Sequence, residues 1–400
     1  MRASLTVLLG VLVIYLLLSV YVYIQIKHRG EQRWLRWAYG VVCSVMAALM
    51  IAAVVVPARS GSNSGLLAKM WLLYGSITLF IPQVLAVLFD AAASLPRLWR
   101  GRRWRFLFWT GIVLGAAVFV MMWWGALVNR FRIDVKEVEV ELPGLPAEFD
   151  GYRMVQFSDM HVGTFGNDTT FVSEFVGRIN GLEPDVILFT GDIVNRSTDE
   201  IYPFVPVFSR LHAPDGVYAI LGNHDYGDYM YWESPREKHL NMLRLYDAME
   251  RAGFDLLLNR TAYLHQGADS IALIGVENIG DAPFPVYGSL AQAYPDLGDA
   301  MPKILLTHNP AHWEDSISGH GELNVPLTLS GHTHAMQIEL GGVSPGVLRY
   351  RTWGGMYSDA DGSHKLYVNI GAGTVGLPMR IGATPEITVL TLRSPDKIHL

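Results

Sequence analysis

Four apolar runs occupy the first 130 residues, at about Leu5–Ile26, Tyr39–Val56, Met70–Phe89 and Phe106–Val128. Each is close to the roughly 20 residues that cross a bilayer as a helix. Inside a bilayer the backbone has no water to bond, so such a run folds as a helix that satisfies its own polar groups. Four in succession, with Arg and Trp gathered at their ends, argue against buried core helices of a water-soluble protein. A cleaved signal peptide is a poor reading of the first run. Its apolar stretch is too long, and it is followed by Gln25-Ile26-Lys27 rather than by a small-residue cleavage site.

Charge divides the chain at the same place. Residues 1–130 hold 13 of the 31 Lys and Arg and only two acids, Glu31 and Asp90, a charge of +11. Residues 131–400 hold 18 bases and 35 acids, a charge of −17. A basic, tryptophan-rich part joined to an acidic part predicts a multi-pass anchor followed by a water-exposed domain. The loop after the first run carries Lys27, Arg29, Arg33 and Arg36, and the loop after the third carries Arg97, Arg100, Arg102, Arg103 and Arg105. The second loop, Pro57–Lys69, has only Arg59 and Lys69. The positive-inside rule places loops one and three in the cytoplasm, and therefore the acidic domain outside it; Arg130, Arg132 and Lys136 stand against this orientation. The lone Cys43 permits no disulfide within one chain and says nothing of redox compartment.

Beyond the anchor, Ile133–Leu142 has a partly alternating strand pattern, and Leu142-Pro-Gly-Leu-Pro146 breaks it. This divides the chain into an anchor (1–130), a linker with a leading strand (131–149) and a domain (150–400). In that domain strands are expected at Arg153–Ser158, Val186–Thr190, Val217–Leu221, Ile271–Val276, Ile304–Thr307, Leu327–Leu329, Leu366–Asn369 and Ile387–Leu392. Helices are expected near Thr170–Asn180, Glu200–Arg210, Arg236–Ala252 and Tyr287–Tyr294. The alternation predicts a layered α/β fold with helices covering sheet.

Five short motifs each follow one of these strands: Asp159-Met160-His161, Gly191-Asp192, Gly222-Asn223-His224-Asp225, Thr307-His308-Asn309 and Gly331-His332-Thr333-His334. Loops at the carboxyl ends of strands are where open α/β sheets gather functional groups. Any one of these motifs is weak by itself, but their shared placement is not. Asp159, His161, Asp192, Asn223, His308, His332 and His334 are the oxygen and imidazole donors of a two-metal site, in which a carboxylate such as Asp192 can bridge. Imidazole suits Zn, Fe and Mn, while Asp and Asn oxygens favour harder ions such as Mn. Two ions about 3.5–4 Å apart clamp a phosphoryl group and lower the pKa of a bridging water. His224, oriented by Asp225, is the expected catalytic group that stabilises charge or protonates the leaving oxygen.

Residues 150–394 resemble a calcineurin-like metallophosphoesterase, a family built as a two-sheet β-sandwich flanked by helices. The resemblance implies that Asp159, His161, Asp192 and His334 hold one divalent metal. It implies that Asp192, Asn223, His308 and His332 hold the second, with His224 as acid or transition-state stabiliser. Leu366-Tyr-Val-Asn-Ile-Gly-Ala-Gly373 and Pro385-Glu-Ile387 resemble the bacterial membrane-attached branch, some of whose members cleave the pyrophosphate of a nucleotide-linked glycolipid. That branch commonly has two glycines after the last histidine; here Ala335 and Met336 stand, and they are expected to narrow the site beside His334.

Several residues are candidates for choosing the substrate. Tyr226-Gly-Asp-Tyr-Met-Tyr-Trp232 follows the Asn-His-Asp motif, with Tyr226 and Trp232 as lid or acyl-groove residues or as plain packing. Arg380 is a candidate phosphate contact, because a guanidinium can bind two phosphate oxygens. Trp353-Gly-Gly-Met-Tyr357 could complete the pocket rim but reads better as a hairpin turn, His212, His239, His265, His320 and His364 read as solvated, and His312 as structural. A charge of −17 opposes nucleic acid as a partner. These features together predict a membrane-anchored, metal-dependent hydrolase of a lipid or cell-envelope phosphoester. The alternatives are a tethered hydrolase of soluble nucleotides or phosphodiesters and, with every ligand retained against it, a non-catalytic membrane scaffold.

Overall fold

The computed structural model describes residues 5–28, 32–55, 62–280, 285–294 and 301–395. Val56, Arg29, Glu31, Arg59 and residues 396–400 lie outside them. Its packing divides into two compact units, residues 1–128 with 376–379, and residues 129–375 with 380–400.

The first unit consists of α1 (Leu5–His28), α2 (Arg33–Val55), α3 (Asn63–Ser94) and α4 (Arg105–Leu127). All four are long and apolar enough to cross a membrane. They run past the apolar cores read from the sequence because flanking charged and aromatic residues, such as Arg33-Trp34-Leu35-Arg36-Trp37, continue the helix. Apolar surface alone gives helices no reason to associate in lipid, so close packing and buried polar pairs must do it. Gly111 and Gly115, one turn apart on α4, let it approach α3: a methyl added at Gly111 would overlap Phe89, and one at Gly115 would lie 3.1 Å from the Pro82 carbonyl. Gln83 on α3 donates to Ser19 on α1 at 3.1 Å and to Tyr39 on α2 at 2.9 Å.

The second unit contains two six-stranded sheets. The first has the order β1 (Asp134–Glu141), β12 (Glu386–Arg393), β2 (Arg153–Phe157), β3 (Val186–Phe189), β4 (Val217–Ala219), β5 (Asp255–Leu256), all parallel neighbours except β12 and β2. The second has the order β10 (Gly355–Ser358), β11 (Lys365–Val368), β9 (Leu327–Ser330), β8 (Lys303–Leu306), β7 (Asp269–Gly275), β6 (Arg260–Gln266), parallel in its centre and antiparallel at both edges. The period of two along a strand sorts the core into layers. Met154, Val186, Leu188, Leu306 and Leu329 form one buried cluster between the sheets. Val155, Phe157, Ile187 and Phe189 turn the other way, against α5 (Thr170–Asn180), α6 (Val205–Phe208) and α7 (Pro235–Arg251). Leu305, Leu366 and Val368 pack against the short α8 (Leu290–Ala293) and α9 (Ala311–Ser316). The fold is thus the helix-flanked two-sheet sandwich expected.

The differences from expectation have local causes. The helix expected over Glu200–Arg210 is cut into short turns and the four-residue α6, since Pro203 and Pro206 remove backbone donors. The helix expected at Tyr287–Tyr294 shrinks to α8. Strands β5, β6 and β10 were not expected; β6 is a sheet edge with mostly polar, partly exposed residues, so it lacks the apolar signal of a buried strand. His364, expected to be solvated, is buried against Asp359 at 2.7 Å and the Leu323 carbonyl at 3.0 Å.

Glu386 starts β12 in full burial, accepting hydrogen bonds from Tyr367 at 3.0 Å and Thr388 at 2.7 Å. Burial pushes its carboxyl up to about 7. A carboxyl whose folded value is raised stabilises the fold below its unfolded pKa and loses that contribution as pH rises through the folded value. Glu386→Gln should therefore gain stability on the wild type between about pH 4.5 and 7, by up to roughly 3 kcal/mol. Thermal melting of both proteins in detergent across that range checks it, and a constant difference would be the contrary result.

Candidate metal centre

Five carboxyl ends of strands meet at one edge of the sandwich: β2, β3 and β4 from one sheet, β8 and β9 from the other. Each is followed within a few residues by one of the five motifs. Glycines make the approach possible. A methyl added at Gly331 would overlap Ser158 and Asp159, and one at Gly191 (φ 96°) would lie 2.5 Å from the Gly222 nitrogen and 2.8 Å from His308 Nδ1.

All seven expected ligands converge. His161 Nε2 and His334 Nε2 face each other at 3.1 Å, and His334 Nε2 lies 3.2 Å from Asp159 Oδ1. His308 Nε2 lies 3.2 Å from Asn223 Oδ1, which is 2.9 Å from His332 Nδ1. Asp192 joins the two groups, its Oδ2 being 3.6 Å from His161 Nε2 and 3.2 Å from His308 Nε2. The donor set suits divalent cations: Asp159 Oδ1 is buried with only the His334 ring nitrogen facing it among the described residues, and ring nitrogens and carboxylate oxygens crowd the same space.

Outer contacts aim these groups. His161 Nδ1 faces the Val194 carbonyl at 3.2 Å and His308 Nδ1 the Thr190 carbonyl at 2.8 Å; donation there leaves each Nε2 lone pair pointing inward. The His224 amide donates to Asp192 Oδ1 at 2.8 Å, and the His332 amide to Asp159 Oδ2 at 2.9 Å. Each carboxylate is thereby pinned by one oxygen and presents the other. Backbone strain accompanies this. Asp159, His161, Asp192, His332 and His334 have φ of 52°, 43°, 62°, 76° and 52°, a region L-residues rarely adopt and which tends to collect at functional sites.

Electrostatics match the donor role for both carboxylates and for His161 and His332. Burial opposes charge on Asp159, but the facing imidazoles, His334 foremost, outweigh it and hold the carboxyl below its ordinary range. Asp192 is likewise held well below by His308 against burial. Burial pushes His161 and His224 down, and His332 down to about 4. Burial also opposes charge on His308, yet the Asp192 carboxylate brings it up to about 9.

The model for the calcineurin-like phosphoesterase matches residues 152–336, and the model for a probable calcineurin-like phosphoesterase transmembrane domain matches residues 1–130. The uncharacterised metallophosphoesterase YkuE of Bacillus subtilis is 34% identical over 272 residues, 66% of this chain and 87% of YkuE. This chain is a calcineurin-like metallophosphoesterase. A transmembrane protein with metallophosphoesterase domain from Bos taurus is 31% identical over 65% of this chain, which spans only 57% of that protein's length. The UDP-2,3-diacylglucosamine pyrophosphatase LpxG of Chlamydia trachomatis is 28% identical over 70% of this chain and 94% of LpxG. The metallophosphoesterase is therefore a membrane-associated hydrolase of phosphoesters, with Asp/His clusters that can hold divalent metal.

The expected roles of Asp225, Arg380 and Ala335 change in the structure of this metallophosphoesterase, and packing is the reading that holds for Tyr226 and Trp232. Asp225 does not touch the His224 ring. Its carboxylate accepts the amides of Asp192, Ile193, Val194 and Gly222 at 2.9–3.1 Å and so clamps the β3 and β4 loops together. His224 is oriented instead by the Asn195 carbonyl, 2.7 Å from its Nδ1. Arg380 is 0% exposed, with its guanidinium donating to the carbonyls of Gly373, Ala383 and Ile370 at 2.7–3.0 Å and meeting His334 Nδ1 at 3.0 Å. It braces the His334 ring and is not placed to grip substrate. Tyr226 is buried, stacked on Tyr287 at 3.8 Å, with its hydroxyl taken up by Glu277 and Asn278. Trp232 closes the same loop by donating to the Gly227 carbonyl at 2.7 Å. Ala335 packs against Ile370 and Ala383, so its methyl fills core rather than site, while Met336 is 48% exposed.

The residue that sequence reasoning passed over is Tyr229, inside the same aromatic run. Its ring stacks on His224 at 4.1 Å and 14°, and its hydroxyl accepts the Asn223 amide at 2.8 Å, which turns Asn223 Oδ1 toward His308 and His332. Only the density of aromatics next to Asn-His-Asp signalled it. Tyr229→Phe should weaken metal binding at the Asn223 cluster by about 10-fold or more, the usual scale for an outer hydrogen bond to a ligand. Tyr229→Leu, which also removes the stack, should slow turnover further. Calorimetric titration with Mn and initial rates separate the two effects; equal metal affinity in Tyr229→Phe and wild type would refute the first.

Proposed function

We propose that this chain is a membrane-anchored dinuclear phosphoesterase that cleaves a phosphoester or pyrophosphate bond of a lipid or cell-envelope molecule outside the cytoplasm. The observation that carries the two-metal reading is the placement of Asp192 Oδ2 within 3.6 Å of His161 and 3.2 Å of His308, one carboxylate oxygen serving both clusters. Asp159, His161, Asp192 and His334 would hold one cation, and Asp192, Asn223, His308 and His332 the other. Two divalent cations held there would supply Lewis-acid polarisation of a phosphoryl oxygen and would activate a water for attack.

The chain's own residues do the rest. Asp225 fixes the two loops that carry Asp192 and Asn223. The Asn195 carbonyl and the Tyr229 ring hold His224 so that its Nε2 is the atom left to meet substrate. Burial keeps that imidazole's pKa low, which makes it a strong proton donor once substrate charge has drawn a proton onto it. Arg380 fixes His334 from behind. The lipid reading draws support from four spans, more than a tether requires, and from the similarity to LpxG, whose name records a pyrophosphatase of a diacylated sugar nucleotide. The loop charges support the extracytoplasmic placement.

Full chain in detergent, loaded with Mn, should hydrolyse an activated phosphodiester, and Asp192→Ala should lower the rate by at least about 10²-fold while loosening both metals. A diacylated nucleotide pyrophosphate presented in mixed micelles should be cut faster than the deacylated compound. Equal rates on both would favour a soluble-nucleotide substrate, and no hydrolysis of any phosphoester by the Mn-loaded chain would sink the proposal.

A further inference from the structure

Within the transmembrane unit a cavity of about 910 Å³ opens among all four helices, beside the loop that joins α3 to α4. That volume lies in the roughly 300–1,000 Å³ range of ligand pockets. Arg97, Arg102, Arg103 and Arg105 border it, with Asp90 as the one acid in its lining. A carboxylate buried on an apolar helix is costly unless paired, and Asp90 is paired. Tyr21 of α1 donates to it at 2.7 Å, and Arg103 forms a salt bridge with it.

That pairing cancels one positive charge and leaves three. Arg97, Arg102 and Arg105 are exposed and have no ion-pair partner among the described residues. Apart from Tyr21 and Gln25, the rest of the lining is apolar and includes Val87, Phe108, Trp109 and Ile112, the last two partly exposed. Arg105, Trp109 and Ile112 are spaced four and three residues apart, so one face of α4 runs from a cation at its loop end to apolar rings and branches along its length. A cationic rim over an apolar wall matches an amphiphile with a negative head. Guanidinium groups bind phosphate oxygens in pairs, and basic pockets between membrane helices suit anionic headgroups.

We propose that this cavity binds an anionic phospholipid, its phosphate among Arg97, Arg102 and Arg105 and an acyl chain along the Trp109–Ile112 face. Free phosphate shares the headgroup chemistry but offers nothing to the apolar wall. The cavity lies at the Arg105 end of α4 and none of the Asp/His cluster residues line it, so the lipid is retained there, not cut.

The test uses the full chain in mild detergent, incubated with equal amounts of phosphatidylglycerol and phosphatidylcholine, exchanged into fresh detergent and examined by native mass spectrometry. Phosphatidylglycerol should be retained about fivefold or more over phosphatidylcholine. Arg102→Gln with Arg105→Gln should cut that retention roughly tenfold, and Arg102→Lys with Arg105→Lys should largely restore it. Equal retention of the two lipids, undiminished retention in the Gln variant, or complete displacement by excess inorganic phosphate would each overturn the proposal. If the Gln variant fails to fold, brominated phosphatidylglycerol should quench the fluorescence difference between wild type and Trp109→Phe, and brominated phosphatidylcholine should not. Equal quenching by both lipids would overturn it as well.

Discussion

One carboxylate oxygen, Asp192 Oδ2, sits between imidazoles that arrive from opposite sheets, and the site exists only if both sheets deliver their loops to it. Without a counter-charge, two buried carboxylates and five histidine rings in one pocket would repel or leave lone pairs unmatched. The sandwich tolerates them because four of these groups are fixed from outside by the backbone and two more by side chains, Asn223 by Tyr229 and His334 by Arg380. Asp192 is held by the His224 amide, Asp159 by the His332 amide, and two histidines face main-chain carbonyls. The loops have no freedom to relax away from the unfavourable arrangement. Asp225, accepting four amides, removes much of that freedom.

Parallel strands explain why the ligands meet at one edge. β2, β3 and β4 run in one direction in their sheet and β8 and β9 do the same in theirs, so five carboxyl ends align. This placement was legible in the sequence because each strand is a short apolar run ending at a polar or glycine residue. Thr170–Asn180 was legible to the residue, since an apolar stripe at helical spacing faces the sheet. What stayed hidden had no one-dimensional signal. The edge strand β6 alternates weakly, and nothing in Asn-His-Asp tells whether Asp225 will turn toward the neighbouring ring or toward amides from another loop. Arg380 shows the same limit: an arginine near a phosphate site suggests phosphate, and only the structure reveals that every nitrogen is already committed inside the protein.

In the membrane unit the forces differ but the logic of pairing is the same. Asp90 and Arg103 solve each other's desolvation, as the metal ligands would solve theirs with cations. The glycine approach of α4 to α3 replaces a hydrophobic driving force that lipid does not provide.

The backbone after the last ligand shows where the chain accepts strain for the site. His334, Ala335, Met336 and Gln337 have φ of 52°, 51°, 47° and 61°, four left-handed residues in a row with no glycine among them. Each costs on the order of 1 kcal/mol relative to the right-handed form. Such a turn persists only if its surroundings hold it at both ends. Thr333 caps its start by accepting the Ala335 amide at 3.2 Å. At its end the Gln337 side chain accepts the Val375 amide at 2.7 Å, and its carbonyl accepts the Ile381 amide at 2.8 Å. Arg380, next to Ile381, then reaches back to His334. The strained turn and the buried arginine are thus one closed loop of contacts around a single imidazole. Glycines at 335 and 336 would relieve the strain, but they would also widen the conformations open to the segment that sets His334. Ala335, with its methyl packed on Ile370 and Ala383, exchanges conformational ease for a fixed position.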